Sequence, residues 1–288
     1  MTQFSRREFV ALAAAAPFAL SQKSPNDSGA LTAQEVVDRI KKSVGVEWKA
    51  DTVDTFKAGD PALVVKGVVT TGMATMDVLK QAVTAGANLV ITAEPTFYSR
   101  ADIATPDPVC AAKSDFINKN GLVIWRFSDH WRLRKPDPLV LGLADFLGWS
   151  TLRAADDPTR VSIPSITLGA LASRVKQTLN ARGGIRVIGD PETKVERVAL
   201  LPGATPLRAS LDTLPGVDAI IAGEVREWES VEYARDTVTA GSKKGLILLG
   251  RVLSEDPGMN VCAQWIRKVV PQITTTWIRV GDPYWRPL

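Results

Sequence analysis

Histidine is almost absent from this 288-residue chain: His130 is the only one. A serine triad would have to use it, and neither a Gly-x-Ser-x-Gly elbow nor any other signal places a nucleophile beside it. Cysteine is nearly as scarce. Cys110 and Cys262 are too few for a thiolate metal cluster. Both fall in apolar helical patterns and read as buried free thiols, although an oxidising compartment would permit a disulfide. Charge of one sign is also lacking: 35 Lys and Arg against 31 Asp and Glu leave a net +4, too little for the electrostatic footprint of a nucleic-acid binder. The basic stretch Arg126, Arg132, Arg134 and Lys135, with Trp125 and Trp131, reads as a solvated face with arginine stacked on tryptophan. After residue 30 no apolar run nears the ~20 residues that cross a bilayer. Gly183-Gly184 is a turn rather than a phosphate loop, since no helix with the right spacing follows it.

The N-terminus does carry a pattern. Ser5-Arg6-Arg7-Glu8-Phe9 opens a run of twelve apolar or small residues, Phe9 to Leu20, and polar Ser21-Gln22-Lys23-Ser24 follows. That layout is an export signal, and the adjacent Arg6 and Arg7 point to the twin-arginine route. The expected location is periplasmic or extracellular, with no membrane partner after export. Residues 1–30 are read as signal and linker. The remaining ~258 residues, 31–288, suit one large domain or two modest lobes.

Along that body, strands and helices alternate. Thr32-Ala33-Gln34-Glu35 has capping-box spacing and opens a helix that runs to Gly45. Strands are expected at 63–70, 88–92, 121–127, 160–166, 185–188, 195–201, 217–222, 245–249 and 274–280. Helices are expected at 75–86, 108–120, 138–147, 168–180, 228–239 and 257–270, the last starting at Pro257. The pattern predicts an α/β fold with mixed sheets: two related lobes, roughly 31–150 and 195–288, joined by a segment 151–194, with a cleft between them. Thr84-Ala85-Gly86 and Thr239-Ala240-Gly241 each precede a strand and form a weak internal echo.

In open α/β sheets, sites gather outside the carboxyl ends of the strands. Ala93-Glu94-Pro95, Ser128-Asp129-His130-Trp131-Arg132, Gly223-Glu224 and the stretch from Gly250-Arg251 to Glu255 all fall there. Carboxylate and imidazole are ligand types for Zn, Mn or Fe, whereas the plain reading is that these acids cap helices. Val68 to Tyr98, in which Asn88-Leu89-Val90-Ile91-Thr92 leads to an acid and a proline, resembles the GTP cyclohydrolase 1 type 2-like family, also described as the Nif-three-like dinuclear-metal proteins. Gly223-Glu224 and Gly245 to Glu255 resemble its C-terminal half in the same order. The resemblance implies two lobes with a divalent metal pair between them, ring-shaped homo-oligomers and, from the metals, hydrolysis of small phosphate- or nucleotide-like molecules.

The resemblance also shows departures. Where the family carries a His-His or His-Glu pair before the proline, this chain has Ala93-Glu94. Where the family has a histidine four residues before a glutamate, it has Arg251 and Glu255. Arginine has no lone pair for a metal. Asp129 is the nearest match to an aspartate ligand of the family, or else His130 aligns with a neighbouring histidine and Arg134 takes the ligand position. Two readings stay open. One is a weak site built from Glu94, Asp129, His130 and Glu255, with Glu224 in reach. The other is a metal-free cleft in which Arg251 supplies the positive charge and the small-molecule ligand is unknown. A residual metal-dependent hydrolase and a non-catalytic ring-forming binding or scaffold protein are the functions these leave.

Overall fold

Thr32 fixes the start of the first helix. Its hydroxyl accepts from the Glu35 amide at 3.2 Å, and the Glu35 carboxylate accepts from the Thr32 amide at 2.9 Å, so two orphan donors are satisfied reciprocally. The helix α1 (Ala33–Ser43) then buries Val36, Val37 and Ile40 on one face. The computed structural model describes residues 30–285 and Pro287. Arg6, Arg7 and the apolar run that carry the export expectation lie outside the described residues.

Two five-stranded mixed sheets, with helices packed on them, organise the described residues from 31 onward. The first contains β1 (Phe56–Ala58), β2 (Val68–Thr71), β3 (Leu89–Thr92), β4 (Val123–Arg126) and β10 (Thr275–Trp277), in the order β1-β4-β3-β2-β10. The second contains β5 (Arg160–Thr167), β6 (Arg186–Ile188), β7 (Lys194–Ala204), β8 (Ala219–Glu224) and β9 (Gly245–Leu248), in the order β5-β7-β8-β9-β6. In each, three consecutive strands run parallel, β2-β3-β4 and β7-β8-β9. Residues of β2, β3, β4 and β9 are buried throughout, as expected for strands covered on both faces. The crossovers are α2 (Met76–Thr84) and α3 (Pro108–Lys119) in the first sheet, α7 (Leu207–Thr213) and α8 (Glu232–Thr239) in the second.

The halves repeat one another. A helix, then a short strand antiparallel to the third parallel strand, precedes each triplet: α1 and β1 pairing β4, α6 (Leu168–Leu179) and β6 pairing β9. After each triplet a helix leads to a strand that joins the other sheet. From α5 (Pro138–Phe146) the chain enters β5, antiparallel to β7; from α9 (Arg251–Val269) it enters β10, parallel to β2. Residues 151–194, expected as a connection, therefore supply β5, α6 and β6 of the second sheet, and the C-terminal strand returns to the first. The sequence echo is out of register with this repeat. Thr84-Ala85-Gly86 ends the first crossover helix and Thr239-Ala240-Gly241 the second one, so it marks a common helix ending rather than equivalent positions.

The exchange places α5 and α9 at the centre. Leu139 and Met259 pack in the core of the first sheet, while Leu143 and Leu253 pack in that of the second. The helices cross at Gly142 and Gly258: a Cβ at Gly142 would stand 2.5 Å from the Gly258 nitrogen and the Pro257 carbonyl. Helix α9 starts at Arg251, six residues before the expected start. Proline favours a first turn, but Pro257 lies inside the helix, with Ser254, Glu255 and Asp256 ahead of it buried. Cys110 and Cys262 are free and buried, and burial raises the Cys262 thiol pKa above the ordinary range. Among the described residues, no helix is long and apolar enough to cross a membrane.

A guanidinium among carboxylates at the candidate functional site

Strand ends of both sheets meet at Arg251. Glu94 follows β3, Glu224 closes β8, and Arg251 and Glu255 lie one turn apart at the start of α9. The Arg251 guanidinium donates from Nη2 to Glu94 Oε1 at 2.7 Å. Its Nη1 lies 3.5 Å from Glu224 Oε2, and its Nε lies 3.6 Å from Glu255 Oε2. Arg132 of α4 (Asp129–Leu133) approaches the other Glu255 oxygen at 3.7 Å. The strand-end reading thus holds for Glu94, Glu224, Arg251 and Glu255.

Asp129 and His130 also follow a strand, β4, but their side chains bind other segments and do not join this cluster. His130 is fully buried; its Nε2 accepts from the Lys49 amide at 2.9 Å, which leaves the proton on Nδ1, 2.7 Å from Asp54 Oδ2. The ring stacks on Trp48 at 3.7 Å between centroids. Both nitrogens are therefore engaged, and neither faces Arg251. Asp129 turns to the Thr52 hydroxyl and the Val53 amide, at 2.9 and 3.1 Å. Arg134, the other candidate for that ligand position, lies over the rings of Trp131 and Trp265. The four-residue metal set does not assemble.

What does assemble does not fit a divalent ion. A guanidinium, permanently charged and without a lone pair, fills the space between the three carboxylates. Burial opposes the Arg251 charge, but Glu255, Glu94 and Glu224 outweigh it and raise its pKa above the ordinary value. Burial, then the Glu94 charge, pushes the Glu255 carboxyl up to about 8 against Arg251 and Arg132. Glu255 therefore holds its proton to higher pH than an ordinary carboxyl, close to the Glu94 that Arg251 binds. Such a pair offers a proton donor and an acceptor, which suits hydrogen bonding and acid–base work rather than metal ligation.

Sequence reasoning missed the residues that shape this centre. Gly203, at φ +80°, lies where a Cβ would come 2.4 Å from Glu255 Oε1, so only glycine leaves room for that carboxylate. Ser254 Oγ accepts from the Gly203 amide at 3.0 Å and donates to the Arg251 carbonyl at 2.8 Å, tying β7 to the first turn of α9. Glycine after a strand was the available signal for Gly203; nothing marked Asp54. Two cavities flank the Glu224–Arg251 pair. One, of about 500 Å³, is bounded by Gly250, Arg251, Gly183 and Tyr284. The other, of about 710 Å³, is bounded by Thr205, Arg208, Arg226 and Glu229.

The loop that carries Glu94 is pinned from below. Asp102 Oδ1 accepts from the Thr96 and Phe97 amides at 2.6 and 2.8 Å, and Lys113 Nζ donates to the Thr96 carbonyl at 2.6 Å. Burial, only partly offset by Asp102, lowers the Lys113 pKa from 10.5 to about 8. Between those values the unfolded chain binds more protons than the folded one, so this lysine makes stability rise with pH. Comparing urea unfolding at pH 7.5 and 10.5, we expect Lys113→Met to lack about 3 kcal/mol of the wild-type rise. Equal pH slopes would show that the charge is not buried at this cost.

A two-lobed α/β protein with exchanged terminal strands and a crevice at the strand ends is the class that fold and site define. The chain belongs to the Duf34/NIF3 (NGG1p interacting factor 3) family, whose model matches residues 31–280. Similar solved structures include the hypothetical protein SA1388 of Staphylococcus aureus, 14% identical with TM-score 0.70 over 89% of this chain and 99% of that one. A Bacillus cereus protein related to NIF3 is 14% identical, with TM-score 0.69 over 90% and 100%. Reduced HcgD from Methanocaldococcus jannaschii is 13% identical, with TM-score 0.58 over 86% and 98%. At these identities the likeness is one of fold. No curated protein matches the sequence.

Proposed function

We propose that this chain is a metal-independent, small-molecule-binding member of the Duf34/NIF3 family, exported from the cytoplasm and working as a homo-oligomer. One observation carries the reading: the 2.7 Å contact of Arg251 with Glu94, at the centre of the carboxylates that would otherwise hold Zn, Mn or Fe. A bound cation would meet a fixed positive charge a few ångströms away and would have to displace it. Two ordinary imidazole positions are also filled by Ala93 and Arg251. The Glu94–Glu255 pair and the flanking cavities supply polar groups and room for a ligand instead. The Arg6-Arg7 pattern supports export, and the family resemblance supports the oligomer. Metal-assisted hydrolysis of phosphate- or nucleotide-like molecules is the weaker alternative, because it needs donors that Arg251 displaces.

Elemental analysis of protein purified without chelator tests this directly. The expected result is well below one divalent ion per chain, with no change in melting temperature on adding EDTA. Two tightly held ions per chain would overturn the reading. Arg251→His adds the complementary arm. An imidazole one turn before Glu255 has the spacing of paired metal ligands on a helix, and this variant should take up Zn that the wild-type chain leaves in solution.

A further inference from the structure

Arg251 is held unequally by its partners. Its contact with Glu94 is a 2.7 Å hydrogen bond to a side chain that is 9% exposed, whereas Glu224 stands 3.5 Å away with its side chain 59% exposed. A contact of that length between a guanidinium and a solvated carboxylate contributes little, typically below ~1 kcal/mol. Glu224 is therefore the partner that a ligand can replace at small cost. It also separates the two cavities, since Glu224 and Arg251 border both.

The larger cavity has the charge to use that vacated contact. Arg208 from α7 and Arg226 from the loop after β8 share its wall with Arg251. The Arg226 partner Glu229 lies on the same wall, 3.0 Å away. Arg208 pairs with Asp212 one turn along its own helix, at 2.8 Å and 54% exposed, which does not border the cavity. With Glu224 swung out, three guanidinium groups from separate segments border the groove with Glu229 on its wall, while Glu94 stays on Arg251 and Asp212 on Arg208 outside it. Each guanidinium keeps N–H groups beyond those its carboxylate takes, and guanidinium forks bind tetrahedral oxyanions through paired hydrogen bonds. At about 710 Å³ the cavity also accommodates an organic body attached to the anion.

We propose that the groove bordered by Arg208, Arg226 and Arg251 binds a phosphomonoester dianion, whose phosphoryl oxygens take the place of Glu224 on Arg251. The proposal rests on the metal-independent reading of the cleft. No bond is made or broken: a carboxylate leaves the guanidinium and the phosphoryl group enters.

Calorimetric titration with phenyl phosphate, in EDTA throughout, tests it on the full chain. Saturable one-to-one binding is expected, with benzoate weaker and phenol without effect. Glu224→Gln removes the competing charge and should tighten phenyl phosphate roughly three- to tenfold. Arg226→Ala and Arg208→Ala should each weaken it several-fold, with melting temperatures near wild type because both side chains are solvated. No saturable binding, or an affinity that Glu224→Gln leaves unchanged or lowers, would overturn the proposal, as would benzoate binding as tightly as phenyl phosphate. Binding that appears only when Zn replaces EDTA would instead overturn the metal-independent reading, and a persisting Glu224→Gln effect under Zn would keep the groove assignment.

Discussion

Asp54→Ala is expected to destabilise the protein by about 3–5 kcal/mol in urea unfolding, the cost of removing one partner from a buried charged network. Asp54 is 2% exposed. Its Oδ1 accepts from the Ser128 and Asp129 amides at 2.6 and 2.9 Å, and its Oδ2 accepts from the His130 amide and Nδ1 at 2.9 and 2.7 Å. The carboxylate thus caps α4 from 75 residues away and fixes the tautomer of the only histidine. Alanine would leave four donors without an acceptor, two of them on buried His130. Asp54→Asn is expected to recover little, because an amide placed with its oxygen toward Ser128 and Asp129 turns its own N–H groups on the two His130 donors. Asp129→Ala, by contrast, loses bonds that are solvated and should cost about 1 kcal/mol or less. A loss below about 1 kcal/mol for Asp54→Ala would mean that water replaces the network, and His130 would again be free to serve elsewhere.

The fate of His130 shows where a sequence stops being readable. An imidazole at a strand end has the same local signature whether it binds a metal or satisfies a core hydrogen bond. The deciding partners, Asp54 and the Lys49 amide, sit in an irregular stretch 76 and 81 residues earlier. The parallel strands were legible because two-sided burial demands runs such as Leu89-Val90-Ile91-Thr92. Three-residue β1 was not, and its pairing with β4 depends on tertiary context. The first turn of α9 failed for another reason. Ser254-Glu255-Asp256-Pro257 has the composition of an exposed loop, yet all four are buried. Their polar groups are met by Gly203, Arg251, Arg132, Gly72 and Arg279, all brought in by other segments or by the turn itself. That Glu94, Glu224 and Arg251 lie at the ends of parallel strands was legible, but their meeting joins two different sheets, and the same argument placed Asp129 and His130 beside them.

Gly142→Ala should also cost about 3 kcal/mol or more, although alanine is the better helix former by ~1 kcal/mol. The conflict arises from what the new methyl group would meet. The Gly258 nitrogen and the Pro257 carbonyl carbon and oxygen all lie 2.5 Å from it. These are backbone atoms, so no rotamer change relieves the overlap, and α5 and α9 must separate. Separation loosens both cores at once, since Leu139 and Met259 belong to the first and Leu143 and Leu253 to the second. Gly148→Ala is the control: its Cβ would meet nothing within 4 Å, and its φ of +76° gives a backbone cost of only ~1–2 kcal/mol. The site should respond as well. Arg251 lies two turns before Gly258 on α9, so a displaced crossing moves the guanidinium away from Glu94 on β3 and weakens phenyl phosphate binding along with stability. If urea unfolding found Gly142→Ala as stable as wild type, the central crossing would be compliant. The cleft geometry would then have to be set by the Ser254–Gly203 tie alone.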